Sequence, residues 1–298
     1  MKEFIRLIRP RTLTASLSPV LLGFAFAAYH YGPMSDFSLL YEFMLFLVVL
    51  LAQAATNIWN EYFDYKSGLD FGQVAGNSGS IVKGKISPTR IKQMGMAVIG
   101  LALGIGVLLC LFTTWWLLPI GLFCIGVAYA YSAGPYPISR TPFGELASGF
   151  TMGFVVVFLA AYLWAGEVDL IVLIPAVPSL VLIGTILQTN STRDMVNDEK
   201  HGRRTLAILL GRDKSIEMMA TSYTFCMTWL VIWVLFGYLP IWSLIGIVGM
   251  IPASKAIRQF KTYSDVKSLD KAMLFCSLAT TFYHVGTALG VGIHYLLV

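Results

Sequence analysis

The sequence predicts an all-α fold: a polytopic membrane helix bundle of about nine transmembrane helices forming a single domain over residues 1–298. Three observations predict it. The chain is 57% hydrophobic and only 12% charged, which leaves too few polar side chains to cover a water-soluble surface. Its apolar residues fall into nine runs of bilayer length, about 20 residues each. Its 21 Lys and Arg residues all fall on alternate connections between those runs, as the positive-inside rule requires. Lipid offers the backbone no hydrogen-bond partners, and runs of this length containing Gly and Pro do not make barrel strands, so helices are the expected state.

The first run, 12–31, follows Lys2, Arg6, Arg9 and Arg11. A secretory signal with a cleavage site at Ala25-Phe-Ala27 is the competing reading. Loss of this run would put the N-terminus on the side without positive charge, so it is read as a span. Phe4, Ile5, Leu7 and Ile8 are expected to form an interfacial helix before it. The second run, 39–62, ends in a polar motif. Runs 93–113 and 115–132 follow. A turn broken by Gly and Pro then carries three tyrosines and Arg140, consistent with an interfacial aromatic belt and one topogenic charge. Runs 143–164 and 170–191 come next, the second ending in another polar motif. Runs 216–236, 240–258 and 272–297 complete the set. The connections at 64–92 and 192–215 are the long ones. Runs two and six leave the membrane on the same face, which hints at an internal duplication of about four spans.

The cationic residues number four before the first span, five after the second, one after the fourth, six after the sixth and five after the eighth. That distribution places the N-terminus and both polar motifs in the cytoplasm. It also accounts for the net charge of +5 as topology, not nucleic-acid binding. Cys110, Cys124, Cys226 and Cys276 lie inside spans at spacings that suit neither zinc nor a disulfide framework. The four histidines form no pair at ligand spacing, and His201 reads as a loop residue.

The two motifs carry the chemistry. Residues 57–70 read Asn-Ile-Trp-Asn-Glu-Tyr-Phe-Asp-Tyr-Lys-Ser-Gly-Leu-Asp, and residues 190–198 read Asn-Ser-Thr-Arg-Asp-Met-Val-Asn-Asp. In each, an Asn precedes an Asp by four residues: Asn60 with Asp64, and Asn190 with Asp194 and then Asp198. Such residues share one helix face. Their oxygens are the ligands hard cations prefer, and Mg²⁺ takes one or two carboxylates with substrate phosphates and water. The negative end of a helix dipole disfavours carboxylates, so acids gathered at two helix C-termini imply a cation. Arg193 inside the second motif, Lys200 and Arg203 just after it, and Lys83 beyond the first suit free phosphate oxygens. An apolar bundle with this mouth suits a lipid carrying a diphosphate head. Metal ions there would act as Lewis acids on the leaving diphosphate. Trp59, Tyr62, Phe63, Tyr129 and Tyr131 could face the resulting allylic cation, although aromatics in such positions are more often packing residues.

These motifs resemble those of the UbiA superfamily of intramembrane prenyltransferases, and within it the branch that prenylates 1,4-dihydroxy-2-naphthoate in menaquinone synthesis. Residues 9–16, 57–70, 134–145 and 190–211 carry the resemblance. It implies a UbiA-like nine-helix bundle open sideways to lipid, with two Mg²⁺ ions bridging a polyprenyl diphosphate. It implies that Asn60, Asp64, Asp194 and Asp198 hold metal or diphosphate, and that Asn57, Lys83 and Arg193 hold substrate. The family often writes Asn-Asp-x-x-Asp-x-x-x-Asp. Here Glu61 replaces the first Asp, Gly68 stands where the last is expected, and Asp70 comes two residues late, a variant similar to the naphthoate branch.

The expected activity is Mg²⁺-dependent transfer of a polyprenyl chain to an aromatic acceptor in the cell membrane, with loss of diphosphate and CO₂, giving demethylmenaquinone. Asp64 and Asp198 are the expected catalytic residues. Asn60, Asp64, Asn190, Asp194 and Asp198 are the expected metal ligands. Asn57, Lys83, Tyr131, Arg140, Arg193, Lys200 and Arg203 are expected to contact substrate. Other acceptors, among them 4-hydroxybenzoate and homogentisate, fit the same motifs. An ion-coupled transporter is the alternative from another class, although its acids usually lie near the bilayer midplane. Prenyl chain length and oligomeric state leave no mark in the sequence.

Overall fold

The computed structural model describes residues 2–32, 38–68 and 79–297. A short helix, α1 (Lys2–Ile8), precedes α2 (Pro10–Tyr31), α3 (Ser38–Lys66), α4 (Pro88–Phe112) and α5 (Leu117–Ser132). Next come α6 (Gly144–Ser148) and α7 (Val155–Ala165), fused through the π-helical turn Gly149–Phe154. Then follow α8 (Leu173–Lys200), the short α9 (Leu206–Leu210), α10 (Arg212–Leu235), α11 (Met250–Thr262) and α12 (Val266–Leu297). The 3₁₀ segment Ile241–Gly249 runs directly into α11.

Among the described residues, seven helical stretches are long and apolar enough to cross a membrane, and Leu117–Ser132 is a shorter apolar helix. With the 22-residue α2, these match the nine runs in order. The bounds differ where polar residues continue a helix. The helix ending in the second motif runs to Lys200 instead of stopping near 191, because Thr192, Arg193 and Asp198 are buried and Thr192 Oγ1 donates back to Gln188 O at 2.8 Å. The expected 192–215 connection therefore begins nine residues late, at residue 201. α4 starts at Pro88, ahead of the apolar run, because Ser87 Oγ accepts from Arg90 N–H at 3.4 Å and Pro sits at a position that needs no donor.

Lipid tails are as apolar as Leu, so membrane helices associate through close packing of small residues. Two places show this. A Cβ on Gly290 of α12 would lie 2.2 Å from Trp242 O, and one on Gly286 would lie 2.9 Å from Gly246 Cα. The 3₁₀ segment is thereby pressed against α12, backbone to backbone. A Cβ on Gly149 would lie 2.4 Å from Leu180 O, and one on Gly153 would lie 2.6 Å from Ser179 O, which seats the π-helical turn on α8. Larger side chains fill two cores. Leu182, Tyr223, Met227, Leu230 and Tyr283 join α8, α10 and α12. Val20, Leu45, Val49, Leu109 and Val156 join α2, α3, α4 and α7. The polar ends of α3 and α8 converge between these two cores.

Candidate active site

A cavity of about 390 Å³ lies between α3, α4, α5, α7 and α8. On α3 its wall extends from Leu45 to Asp64, roughly 28 Å at the helical rise of 1.5 Å per residue. One end is polar, lined by Arg9, Asn57, Asn60, Asp64, Tyr131, Asn190, Arg193, Asp194 and Arg203. The rest is apolar, with Leu45, Val49, Leu109, Leu117 and Leu163 towards the far end.

One guanidinium joins the two acidic motifs. Arg203 Nη2 donates to Asp64 Oδ1 at 3.2 Å, and its Nη1 lies 3.3 Å from Asp198 Oδ1. Arg203 is placed to do this because Gly202, at φ +73°, turns the chain back just after α8, with Arg203 N–H donating to Asp198 O at 3.0 Å. The charges of Arg9 and Arg140 also act on Asp64. Arg9 itself sits at φ 50° between α1 and α2, a left-handed conformation uncommon for a residue with a side chain. Arg9 belongs to the 9–16 stretch, whose spacing alone gives it no part in the site.

A second cluster surrounds Arg193, whose residue is only 9% exposed. Its Nε and Nη2 form a fork on Asp194, at 2.8 Å to Oδ1 and 2.6 Å to Oδ2. Nη2 also donates to Asn190 Oδ1 at 2.9 Å. Nη1 donates to Asp270 Oδ1 at 2.8 Å and contacts Met273 Sδ. Asn60 Oδ1 accepts a hydrogen bond from Ser132 Oγ, while Asn57 Nδ2 donates to Ile8 O at 2.9 Å and ties α1 to α3.

The remaining expected residues divide. Asp198 is buried behind Arg203 and does not line the cavity. Arg140 is half-buried, and its carbonyl accepts from Arg204 N–H at 2.8 Å. Lys83 and Lys200 are exposed and outside the cavity wall. Of the five aromatics considered for an allylic cation, Tyr131 alone lines the cavity among the described residues. Trp59 packs in a core with Ala55 and Ile99 and stacks edgewise on Tyr129. Asp70 lies outside the described residues.

Glu61, the departure from the family pattern, faces away from the cavity. Its Oε1 accepts Ser80 N–H at 2.6 Å, and Ser80 Oγ donates to Glu3 Oε2 at 2.9 Å. Lys85 Nζ reaches Glu3 Oε1 at 3.3 Å. Chiefly the Ser80 hydroxyl, and then Lys85 and Arg6, hold the Glu3 carboxyl below its ordinary range. The turn that carries Lys83 and Lys85 is thus tied to both α1 and α3, a contact that hydropathy and motif spacing do not encode.

The donor set fits a hard divalent cation. The cavity mouth supplies amide and carboxylate oxygens from two helices, the ligand chemistry of Mg²⁺. Asp198 Oδ1 is buried without a hydrogen bond, 3.3 Å from Arg203 Nη1. Among the described residues, no three acidic, thiol or imidazole side chains already converge on one point. Asn60 and Asn190 line the same end of the cavity as Asp64 and Asp194.

Comparison with known proteins shows the family and the fold. Residues 16–279 match the UbiA prenyltransferase family. The chain is 34% identical over 294 residues to the 1,4-dihydroxy-2-naphthoate octaprenyltransferase of Bacillus subtilis, covering 97% of this chain and 92% of that one. It is 31% identical over 204 residues to the protein of the same name from Mycobacterium tuberculosis, covering 68% of each. Among solved structures, a UbiA homolog from Archaeoglobus fulgidus bound to GPP and Mg²⁺ superposes with a TM-score of 0.65 at 18% identity, covering 96% of this chain and 99% of that one.

Proposed function

The chain belongs to the UbiA prenyltransferase family, and we propose that it transfers a polyprenyl chain from its diphosphate to 1,4-dihydroxy-2-naphthoate. The observation that carries this is the meeting of both acidic motifs, through Arg203, at the mouth of one long apolar cavity. The similarity to naphthoate octaprenyltransferases over nearly the whole chain supports the acceptor.

In the proposed reaction the allylic C–O bond breaks and its electron pair leaves with diphosphate. The naphthoate ring carbon that bears the carboxylate forms the new C–C bond. CO₂ then departs, leaving its bonding pair to restore the aromatic ring, so the product is the quinol form of demethylmenaquinone. Asn60, Asp64, Asn190, Asp194 and Asp198 would hold Mg²⁺, which as a Lewis acid draws charge onto the leaving diphosphate. Arg203 and Arg9 supply fixed positive charge at the same end. The apolar wall from Leu45 to Leu163 shelters the isoprenoid and keeps water from the reactive carbon. Tyr131 presents a ring to the polar end of the cavity. The Lys and Arg distribution supports a cytoplasmic side of the cell membrane for this end and the N-terminus.

The test is purified protein in lipid nanodiscs with polyprenyl diphosphate, 1,4-dihydroxy-2-naphthoate and Mg²⁺. Prenylated naphthoquinol, CO₂ and diphosphate are expected in equal amounts, with activity lost on chelation and restored by Mg²⁺. Asp64→Ala and Asp198→Ala are expected to abolish turnover in folded protein. Product from 4-hydroxybenzoate and none from naphthoate would replace the acceptor, and no prenyl transfer to any aromatic would remove the function.

A further inference from the structure

We propose that Asp270 on α12 is a positioning residue of the second acidic motif: it is the carboxylate to which Arg193 stays tied when Asp194 exchanges the guanidinium for a cation. This rests on the prenyl-transfer reading only in that a divalent cation enters at Asp194.

A guanidinium has five N–H donors, and every one on Arg193 is directed at a protein atom. Two go to Asp194, one to Asn190, one to Asp270 and one to Met273 Sδ. In this arrangement Arg193 has no donor left for a diphosphate, and both oxygens of Asp194 are covered by a bidentate fork. A cation can take both oxygens of Asp194 only if that fork opens. Asp194 lines the cavity and Asp270 does not. The guanidinium therefore sits between one carboxylate on the substrate side and one behind it. Because Asp270 keeps hold of Nη1, opening the fork does not leave a buried cation unpaired. The released Nε and Nη2 then face the cavity mouth, where phosphate oxygens would lie. Without the Asp270 charge, Asp194 becomes the guanidinium's one anionic partner and the fork closes more firmly against an incoming ion.

Asp270 is 44% exposed at its side chain, so its substitution leaves the packing of α12 intact. The experiment compares Asp270→Asn and Asp270→Glu in the full-length purified protein. Mn²⁺ binding is measured by electron paramagnetic resonance without any prenyl substrate. Removing an outer partner of a metal ligand typically weakens metal affinity by about 10- to 100-fold. Asp270→Asn is therefore expected to weaken Mn²⁺ binding at least tenfold and to raise the Mg²⁺ half-saturation of prenyl transfer to match. At saturating Mg²⁺ its kcat is expected to stay within about threefold of the parent. Asp270→Glu, which keeps the charge, is expected to restore Mn²⁺ affinity. Unchanged Mn²⁺ binding in Asp270→Asn, or equal loss in Asp270→Glu, would overturn the proposal. Mn²⁺ binding involves no acceptor, so a wrong acceptor fails the transfer assay while leaving this readout standing.

Discussion

Arg203 makes the clearest case at the scale of the residue. It is one positive charge against two carboxylates on different helices, Asp64 and Asp198, 134 residues apart in sequence (198 − 64). Its side chain is 16% exposed, Asp198's is 3% and Asp64's is 20%. Breaking a buried ion pair from one side is strongly destabilising because the remaining charge is uncompensated, and the partial exposure of Asp64 reduces that penalty. Arg203→Met is expected to lose about 2 kcal/mol of stability without divalent ions. Millimolar Mg²⁺ is expected to raise its melting temperature more than that of the parent, since the ion then neutralises the exposed pair. Equal shifts in both proteins would take the ion away from the space between the helix ends. The sequence made Asp64 and Asp198 legible through spacing alone, because helical periodicity is a local rule. It could not show that Arg193 is spent on Asp194, Asn190 and Asp270. Asp270 arrives from a different helix 77 residues away, and no periodicity links them.

The long apolar helices were legible because each must satisfy its own backbone in lipid, a constraint written directly in hydropathy. What hydropathy could not give was the geometry inside an element. The π-helical turn Gly149–Phe154 and the 3₁₀ segment Ile241–Gly249 depend on backbone approaches to α8 and α12 that exist only after packing. The turn at residues 79–86 belongs to the same class, being held by Glu3 on α1 and the buried Glu61 on α3. Ser80 and Glu61 are 0% and 1% exposed, so their hydrogen bond is shielded from water, and a bond to a charged group is worth about 1.5–3 kcal/mol. Glu61→Ala is therefore expected to speed amide hydrogen exchange at residues 80–86 by roughly tenfold or more, with exchange in α10 unchanged. Exchange at the parent rate would mean that the turn is held without Glu61.

At the scale of the whole molecule, the cavity makes a claim about substrate length that no single residue makes. Its polar end includes Ser132 of α5, which donates to Asn60 on α3, and its apolar wall continues past Gly121 and Gly106 towards Leu117 and Leu109. Gly121 is eleven residues from Ser132 along α5, roughly 16 Å at the helical rise. A Cβ added there, or at Gly106 on α4, would meet no atom within 4 Å. The space beside these glycines is thus open to a ligand and not filled by packing. A short isoprenoid anchored at the mouth would end before reaching them, and a long one would pass them. Gly121→Phe is therefore expected to leave kcat/KM for a geranyl-length diphosphate within about threefold of the parent, and to lower it more than tenfold for an octaprenyl-length donor. Competition between the two donors in one reaction is the sharpest readout, since it cancels differences in the amount of active protein. A loss that is equal for both lengths would mean that the aromatic ring disturbs the mouth. No loss for the long donor would mean that the isoprenoid leaves the bundle before this depth, and that the deep apolar space serves something other than the reacting chain.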